Sequence, residues 1–154
     1  NTDERIKNNQ SVTPGFLLAA LLWPLLISKC SKNGEVNIRK FFRSMDGVLR
    51  EQQKLTAIPR KFNSYIKDIW VLQLKLHSRI KSQPYKTLRH PRFRAAYDFL
   101  LVREQASGDK GGLGKWWTDF QKNDDSLRGS LITRMNEKSD EESSKIFGFF
   151  EELR

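Results

Sequence analysis

The chain has 154 residues and a mass of 18.0 kDa, one domain's worth of polypeptide that can bury roughly 68–70% of the surface its unfolded form exposes without a metal or disulfide staple. One cysteine, Cys30, excludes an internal disulfide and points to a reducing, cytoplasmic compartment; with only His77 and His90 beside it, no tetrahedral zinc site can be built from Cys and His. The 28 Lys+Arg against 18 Asp+Glu leave a net charge of +10 and a pI near 9.9, a balance that suits a polyanionic partner, nucleic acid ahead of an anionic membrane.

The chain opens on Asn1 with Asp3, Glu4, Arg5 and Lys7 close behind, so an internal fragment of a longer protein is expected. Thr13 is an N-cap candidate with Pro14 at the first helical position. The first helix is expected to reach about Ser28, with Pro24 kinking it or ending it early. Its apolar run, Phe16–Ile27, has 12 residues, against the ~20 that a spanning helix needs. No signal-peptide pattern accompanies it, so it reads as a buried core helix and no membrane role is expected.

A second helix is predicted over Glu35–Thr56, with Ile38, Phe41, Phe42, Met45, Val48, Leu49 and Leu55 at helical spacing and Arg39, Arg43, Arg50 and Lys54 on the opposite side. A third runs from Pro59 to about Ile80, burying Phe62, Tyr65, Ile66, Ile69, Trp70 and Leu76. Pro84 is expected to break the chain. A fourth helix starts at Pro91 and buries Phe93, Ala96, Tyr97, Leu100 and Leu101. Gly108–Gly114 reads as a loop, Lys115–Gln121 as a short aromatic helix, and 122–138 as polar and loose. Ser139 with Glu142 forms a capping box for a last helix carrying Ile146, Phe147, Phe150 and Leu153. No segment alternates with period two. The expectation is an all-α fold, an irregular bundle of about five to seven helices without a sheet. Residues 1–107 would form a helical body, and 108–154, with the glycine-rich loop, short aromatic helix, polar linker and terminal helix, would belong to the same domain or form an appendage.

No catalytic constellation emerges. Gly112-Leu113-Gly114-Lys115 lacks the first glycine of a P-loop, since Asp109 stands there, and Trp116 replaces the Ser/Thr after the lysine. Trp117 occupies the third glycine position of a dinucleotide fingerprint. Asp124-Asp125 and Asp140-Glu141-Glu142 are paired carboxylates, but the second set suits a helix first turn, and magnesium wants carboxylates fixed on a rigid frame. No metal site and no catalytic residue is expected in this chain.

The positive charge is concentrated. Residues 29–94 hold 17 basic and four acidic groups, a net +13, while 109–154 hold eight basic and ten acidic. A solubilising surface needs a net charge of only ~2–8 with both signs mixed. The candidate phosphate ligands are therefore Arg39, Arg43, Arg50 and Lys54, along a line of about 22 Å, with Arg60 and Lys61, and Lys86, Arg89, Arg92 and Arg94; guanidinium groups bind phosphate oxygens bidentately. Trp116, Trp117 and Phe120 could stack on bases if exposed, but their spacing favours core packing.

Several strings occur together: Thr13-Pro14-Gly15-Phe16-Leu17, Leu21-Leu22-Trp23-Pro24, Ala57-Ile58-Pro59-Arg60, Asp68-Ile69-Trp70, His90-Pro91-Arg92-Phe93-Arg94-Ala95-Ala96-Tyr97-Asp98-Phe99-Leu100, and Trp116-Trp117 with Phe120-Gln121. In order and spacing, over residues 1–122, they resemble the C-terminal RNA-binding body and leg of the bacterial poly(A) polymerases, class II nucleotidyltransferases close to the CCA-adding enzymes. The resemblance implies addition of AMP from ATP to single-stranded RNA 3′ ends, marking RNA for decay. ATP and Mg²⁺ would be used by a catalytic head with an Asp-x-Asp pair, which this sequence does not contain, so this chain alone would bind RNA without transferring nucleotides. It also implies contacts with a DEAD-box RNA helicase or another RNA-decay protein. The alternatives are the equivalent region of a CCA-adding enzyme, or a protein-interaction scaffold offering Phe147 and Phe150 to a groove. Many members end in an arginine-rich tail; here Ser139–Arg154 is acidic at its start and Phe-rich after.

Overall fold

A computed structural model describes residues 13–108, 112–122 and 124–137. Seven α-helices are found among them: α1 (Pro14–Cys30), α2 (Ile38–Leu55), α3 (Asn63–Lys75), α4 (Gln83–Leu88), α5 (Phe93–Ser107), α6 (Leu113–Phe120) and α7 (Asp125–Glu137). The expectation of no sheet is overturned. Ser31–Lys32 (β1) and Glu35–Val36 (β2) pair antiparallel, Ser31 opposite Val36 and Lys32 opposite Glu35. The Asn33-Gly34 corner has φ of 55° and 81°, the double positive φ that an Asn-Gly hairpin turn adopts. Two-residue strands are too short to show alternation, so the turn dipeptide was their one signal.

The described residues form two compact units that divide between Trp70 and Val71, inside α3. In the first, Thr13 caps α1 by accepting from the Phe16 amide at 3.1 Å. The helix runs through Pro24 to Cys30 rather than stopping early. Pro24 is exposed, and a carbonyl that loses its donor on a solvent-facing side can be hydrated instead. Asn37 caps α2, its Oδ1 accepting from the Lys40 amide at 3.0 Å. α2 buries Phe41, Met45, Val48 and Leu49, the i, i+4, i+7, i+8 stripe of an amphipathic helix. α1 and α2 pack together, with the Trp23 ring edge-on to Phe41 at 6.0 Å. Trp70, fully buried, donates Nε1–H to the Ala19 carbonyl at 3.1 Å.

In the second unit α3 ends at Lys75, not near Ile80, and the chain tightens through bonds from His77 N to Leu74 O and from Ser78 N to Lys75 O. The Leu76 carbonyl is thereby left for Trp117, whose Nε1 donates to it at 2.8 Å. Pro84 does not break the chain but sits in the first turn of α4, where its missing N–H is no loss. α5 ends at Gly108 with φ 70°. The stretch expected to be loose, 122–138, holds α7, which buries Leu131, Ile132 and Met135. Asp124 caps it, accepting from the Leu127 amide at 3.1 Å. Leu76, Ile80, Phe93, Tyr97, Leu100, Leu113, Trp116, Trp117, Phe120, Leu131, Ile132 and Met135 form one core, so 113–135 share the core of 76–100. The last helix expected from Ser139 onward lies outside the described residues.

Two glycines of the first unit should respond with opposite sign. A Cβ on Gly15 would lie 2.7 Å from Tyr65 Cδ1, whereas one on Gly47, exposed inside α2, meets nothing. Gly15→Ala should destabilise by about 1–3 kcal/mol and Gly47→Ala should stabilise by about 0.5–1 kcal/mol; scanning calorimetry giving the same sign for both would contradict the packing. In the second unit, Trp117→Ala should cost about 3–5 kcal/mol in urea unfolding, whereas Lys115→Ala, at an exposed helix position, should stay within about 0.5 kcal/mol.

Candidate nucleic-acid interface

The ten candidate cations divide between the two units. Arg39, Arg43, Arg50 and Lys54 are all exposed on α2. At 100° per residue they fall within an arc of about 60° and extend along about 22 Å of helix. Turning any of them inward would bury an unpaired charge, a penalty no core residue here could offset.

Two carboxylates of α2 could quench this stripe, and both are engaged from elsewhere. Asp46 is held by Lys67 of α3, and Glu51 accepts from Lys29 of α1 at 3.1 Å. Among the described residues, no carboxylate pairs with Arg39, Arg43, Arg50 or Lys54. Lys40, also exposed on α2 and unpaired among the described residues, extends the basic surface. Its i, i+3 relation to Arg43 is legible in the sequence.

Arg60 and Lys61 lie exposed in a single 3₁₀ turn, Arg60–Phe62. The Gln53 side-chain amide donates to Asn63 Oδ1 at 2.7 Å, which fastens the residue after this turn to α2 one position before Lys54. The Lys61 ammonium lies over the Phe62 ring, 5.3 Å from its centroid. The first six candidates are thus drawn into one unit and anchored on one helix.

The other four belong to the second unit. Lys86 and Arg89 are exposed at the end of α4. Arg92 is half-buried just before α5, its backbone N–H donating to His90 Nδ1 at 3.0 Å. Arg94 is engaged: its Nε is 3.5 Å from the Asp98 carboxylate, and its guanidinium lies 5.4 Å from the Tyr97 ring centroid.

Other features carry no chemistry of their own. Lys115 and Lys122 flank Asp119 at 3.6 and 3.2 Å, and the hydrogen bond from Lys122, joined by the Lys115 charge, holds that carboxyl below its usual range. Cys30 is buried, its Sγ–H donating to the Leu26 carbonyl at 3.2 Å; burial pushes the thiol up, away from the reactive thiolate. Asp124 is a helix cap. Among the described residues no three His, Cys, Asp or Glu side chains gather as a metal site, and no helix is long and apolar enough to cross a membrane. Trp116, Trp117 and Phe120 are core residues, Trp116 stacked on Phe120 at 5.0 Å. Phe147 and Phe150 lie outside the described residues.

Comparison with known proteins places this arrangement in a family. The chain is 39% identical over 127 residues to poly(A) polymerase I of Escherichia coli O6:H1 and 37% identical over 127 residues to that of Salmonella typhi, each alignment covering 79% of this chain and 27% of the relative. It is 35% identical over 137 residues to poly(A) polymerase I of Haemophilus influenzae, 86% of this chain and 30% of that protein. The chain therefore spans less than a third of the length of these curated relatives. Residues 33–146, which include α2 with its basic stripe and the aromatic core of the second unit, match the family model described as the polymerase A arginine-rich C-terminus, and the chain belongs to that family, the C-terminal region of the bacterial poly(A) polymerases.

Proposed function

We propose that this chain is the RNA-binding portion of a poly(A) polymerase, holding RNA by its sugar–phosphate backbone while the 3′ end is extended with AMP by a catalytic part outside it. The observation that carries this reading is the open stripe of Arg39, Arg43, Arg50 and Lys54 on α2, whose neighbouring carboxylates Asp46 and Glu51 are neutralised by Lys67 and Lys29. A row of cations on a rigid helix, with no anions competing for it, concentrates a positive field where a phosphate chain can lie. Arg60 and Lys61 continue it on the turn fastened to α2.

In this reading ATP and Mg²⁺ act in the part of the longer relatives that this chain does not cover. The chain alone then binds RNA but transfers nothing, and it works in the cytoplasm, where RNA decay takes place. Poly(A) addition is preferred to CCA addition because the relatives named above are poly(A) polymerases.

Fluorescence anisotropy with an RNA oligonucleotide checks the reading. Engagement of about four phosphates on a single strand gives a log–log salt slope near −3, from about −0.7 per contact; a flat response contradicts it. Arg39→Gln with Arg43→Gln should weaken binding and reduce the slope by about 1.4. Lys115→Gln with Lys122→Gln removes the same formal charge from groups already matched by Asp119 and should leave the slope nearly unchanged. Equal losses from the two pairs would mean that net charge, not the α2 stripe, does the binding.

A further inference from the structure

We infer that the outer side of α1, built on Leu17, Leu21 and Pro24, is the seat of a helix from the catalytic part of the polymerase that lies outside this chain. The inference rests on the reading above only in placing a catalytic part there; it does not depend on how RNA is held.

From Pro14 to Ser28 the sequence has no charged residue. A helix that is apolar on every side belongs in an interior, because it has no polar side to turn to water. α1 is covered on one side only. Phe16, Ala19, Leu22 and Leu26 are buried, Trp70 is bonded to the Ala19 carbonyl, and Trp23 meets Phe41. Leu17, Leu21, Pro24 and Ser28 are all exposed, and at 100° per residue they fall within an arc of about 60°. Leu21 is 73% exposed and Leu17 39%. Ala20, Leu25 and Ile27 flank them, half-buried.

The size of this side decides what can occupy it. Leu17 to Ser28 covers about 16 Å of axis, and a helix is about 10 Å across, so the strip offers about 160 Å². A stable complex between separate proteins takes about 800 Å² from each partner. A second copy of this chain, or an unlinked protein, would find only about a fifth of that here. A tethered partner needs far less, since a short linker holds it at a millimolar effective concentration. More than two thirds of each curated relative lies outside the region that this chain matches, which is ample length for such a partner. A lipid surface fits poorly. Interfacial helices border their apolar side with Lys and Arg, and the one basic residue of α1, Lys29, is paired with Glu51.

The chemistry of the occupant follows. Its contacting side is apolar and uncharged, because a charge set against Leu17 and Leu21 would be buried unpaired. It brings one hydrogen-bond donor, because Pro24 has no N–H for the Ala20 carbonyl and a covered carbonyl needs a partner once water is excluded. α2 packs against α1 as well, so α1 then joins the catalytic part to the helix that carries the basic stripe.

Two cysteine probes test this, Leu21→Cys and Leu55→Cys. The two leucines are equally open, 73% and 72% exposed, and the native Cys30 is buried. Each probe is placed in this chain and in the full-length polymerase, whose other exposed thiols are changed to serine, and the rate of maleimide labelling is read. In this chain both should label as open thiols. In the full-length protein Leu21→Cys should slow about tenfold or more, as for a contact closed ten times as often as open, while Leu55→Cys keeps its rate. Adding Leu17→Lys should restore fast labelling of Leu21→Cys in the full-length protein, which ties the protection to this side of α1. Equal labelling of Leu21→Cys in the two proteins overturns the inference. Slow labelling in this chain alone also overturns it, since the occupant is then a second copy. So does slowing that needs phosphatidylglycerol vesicles, since the occupant is then a lipid surface. RNA binding is read separately, from the anisotropy salt slope of this chain, so either reading can fail while the other stands.

Discussion

The burial of Phe41, Met45, Val48 and Leu49 is the constraint from which the basic surface follows. These four side chains take one side of α2 out of water, each worth roughly 1.5–3 kcal/mol of transfer free energy. Once that side is committed, the helical period sends Arg39, Arg43, Arg50 and Lys54 to the opposite side. No separate force is needed to gather the cations; the apolar stripe arranges them. The ion pairs Lys67–Asp46 and Lys29–Glu51 then act on the field rather than on the fold. Exposed pairs of this kind stabilise a protein by ~0–1 kcal/mol, yet each removes a carboxylate that would otherwise face the arginines.

The second unit is organised by a different interaction, the bond from Trp117 Nε1 to the Leu76 carbonyl. α3 must end there, because the tightened turn after Lys75 leaves that carbonyl without an intrahelical donor. A buried carbonyl left unpaired would cost about 1–3 kcal/mol, and the indole supplies the donor while its ring fills the core. α6 is held in turn by Glu104, which accepts from the Gly114 amide at 3.2 Å. In this unit Lys115, Lys122 and Arg94 have carboxylate neighbours. Lys86 and Arg89 are exposed there without a carboxylate partner among the described residues, so what sets α2 apart is that its open cations share one side of a single helix.

Much of the helical pattern was legible because long amphipathic segments repeat their signal over several turns. α2, α5 and α6 appear close to where periodicity puts them, and the core roles of Trp116, Trp117 and Phe120 follow from spacing. Where structure and periodicity part, the causes are physical. The β1–β2 hairpin is too short for alternation and was announced by Asn33-Gly34 alone. α7 looked polar because Leu127, Leu131, Ile132 and Met135 are embedded in charged and small residues, and only packing against the aromatic core makes that stripe count. Pro84 starts α4 rather than breaking the chain, and a proline at a first turn and one in a helix interior are the same letter.

The amino-acid sequence by itself determined that helices dominate, that positive charge is concentrated between residues 29 and 94, and that Arg39, Arg43, Arg50 and Lys54 share one side of a helix; each of these depends on neighbours a few residues apart. Which cations are open was decided only by tertiary structure. Glu51 meets Lys29 across 22 residues, Asp46 meets Lys67 from a different helix, and Gln53 ties down the turn that carries Arg60 and Lys61. An ion pair depends on distance in space, falling off over a Debye length of ~8–10 Å, and separation along the chain says nothing about that distance until the helices have packed.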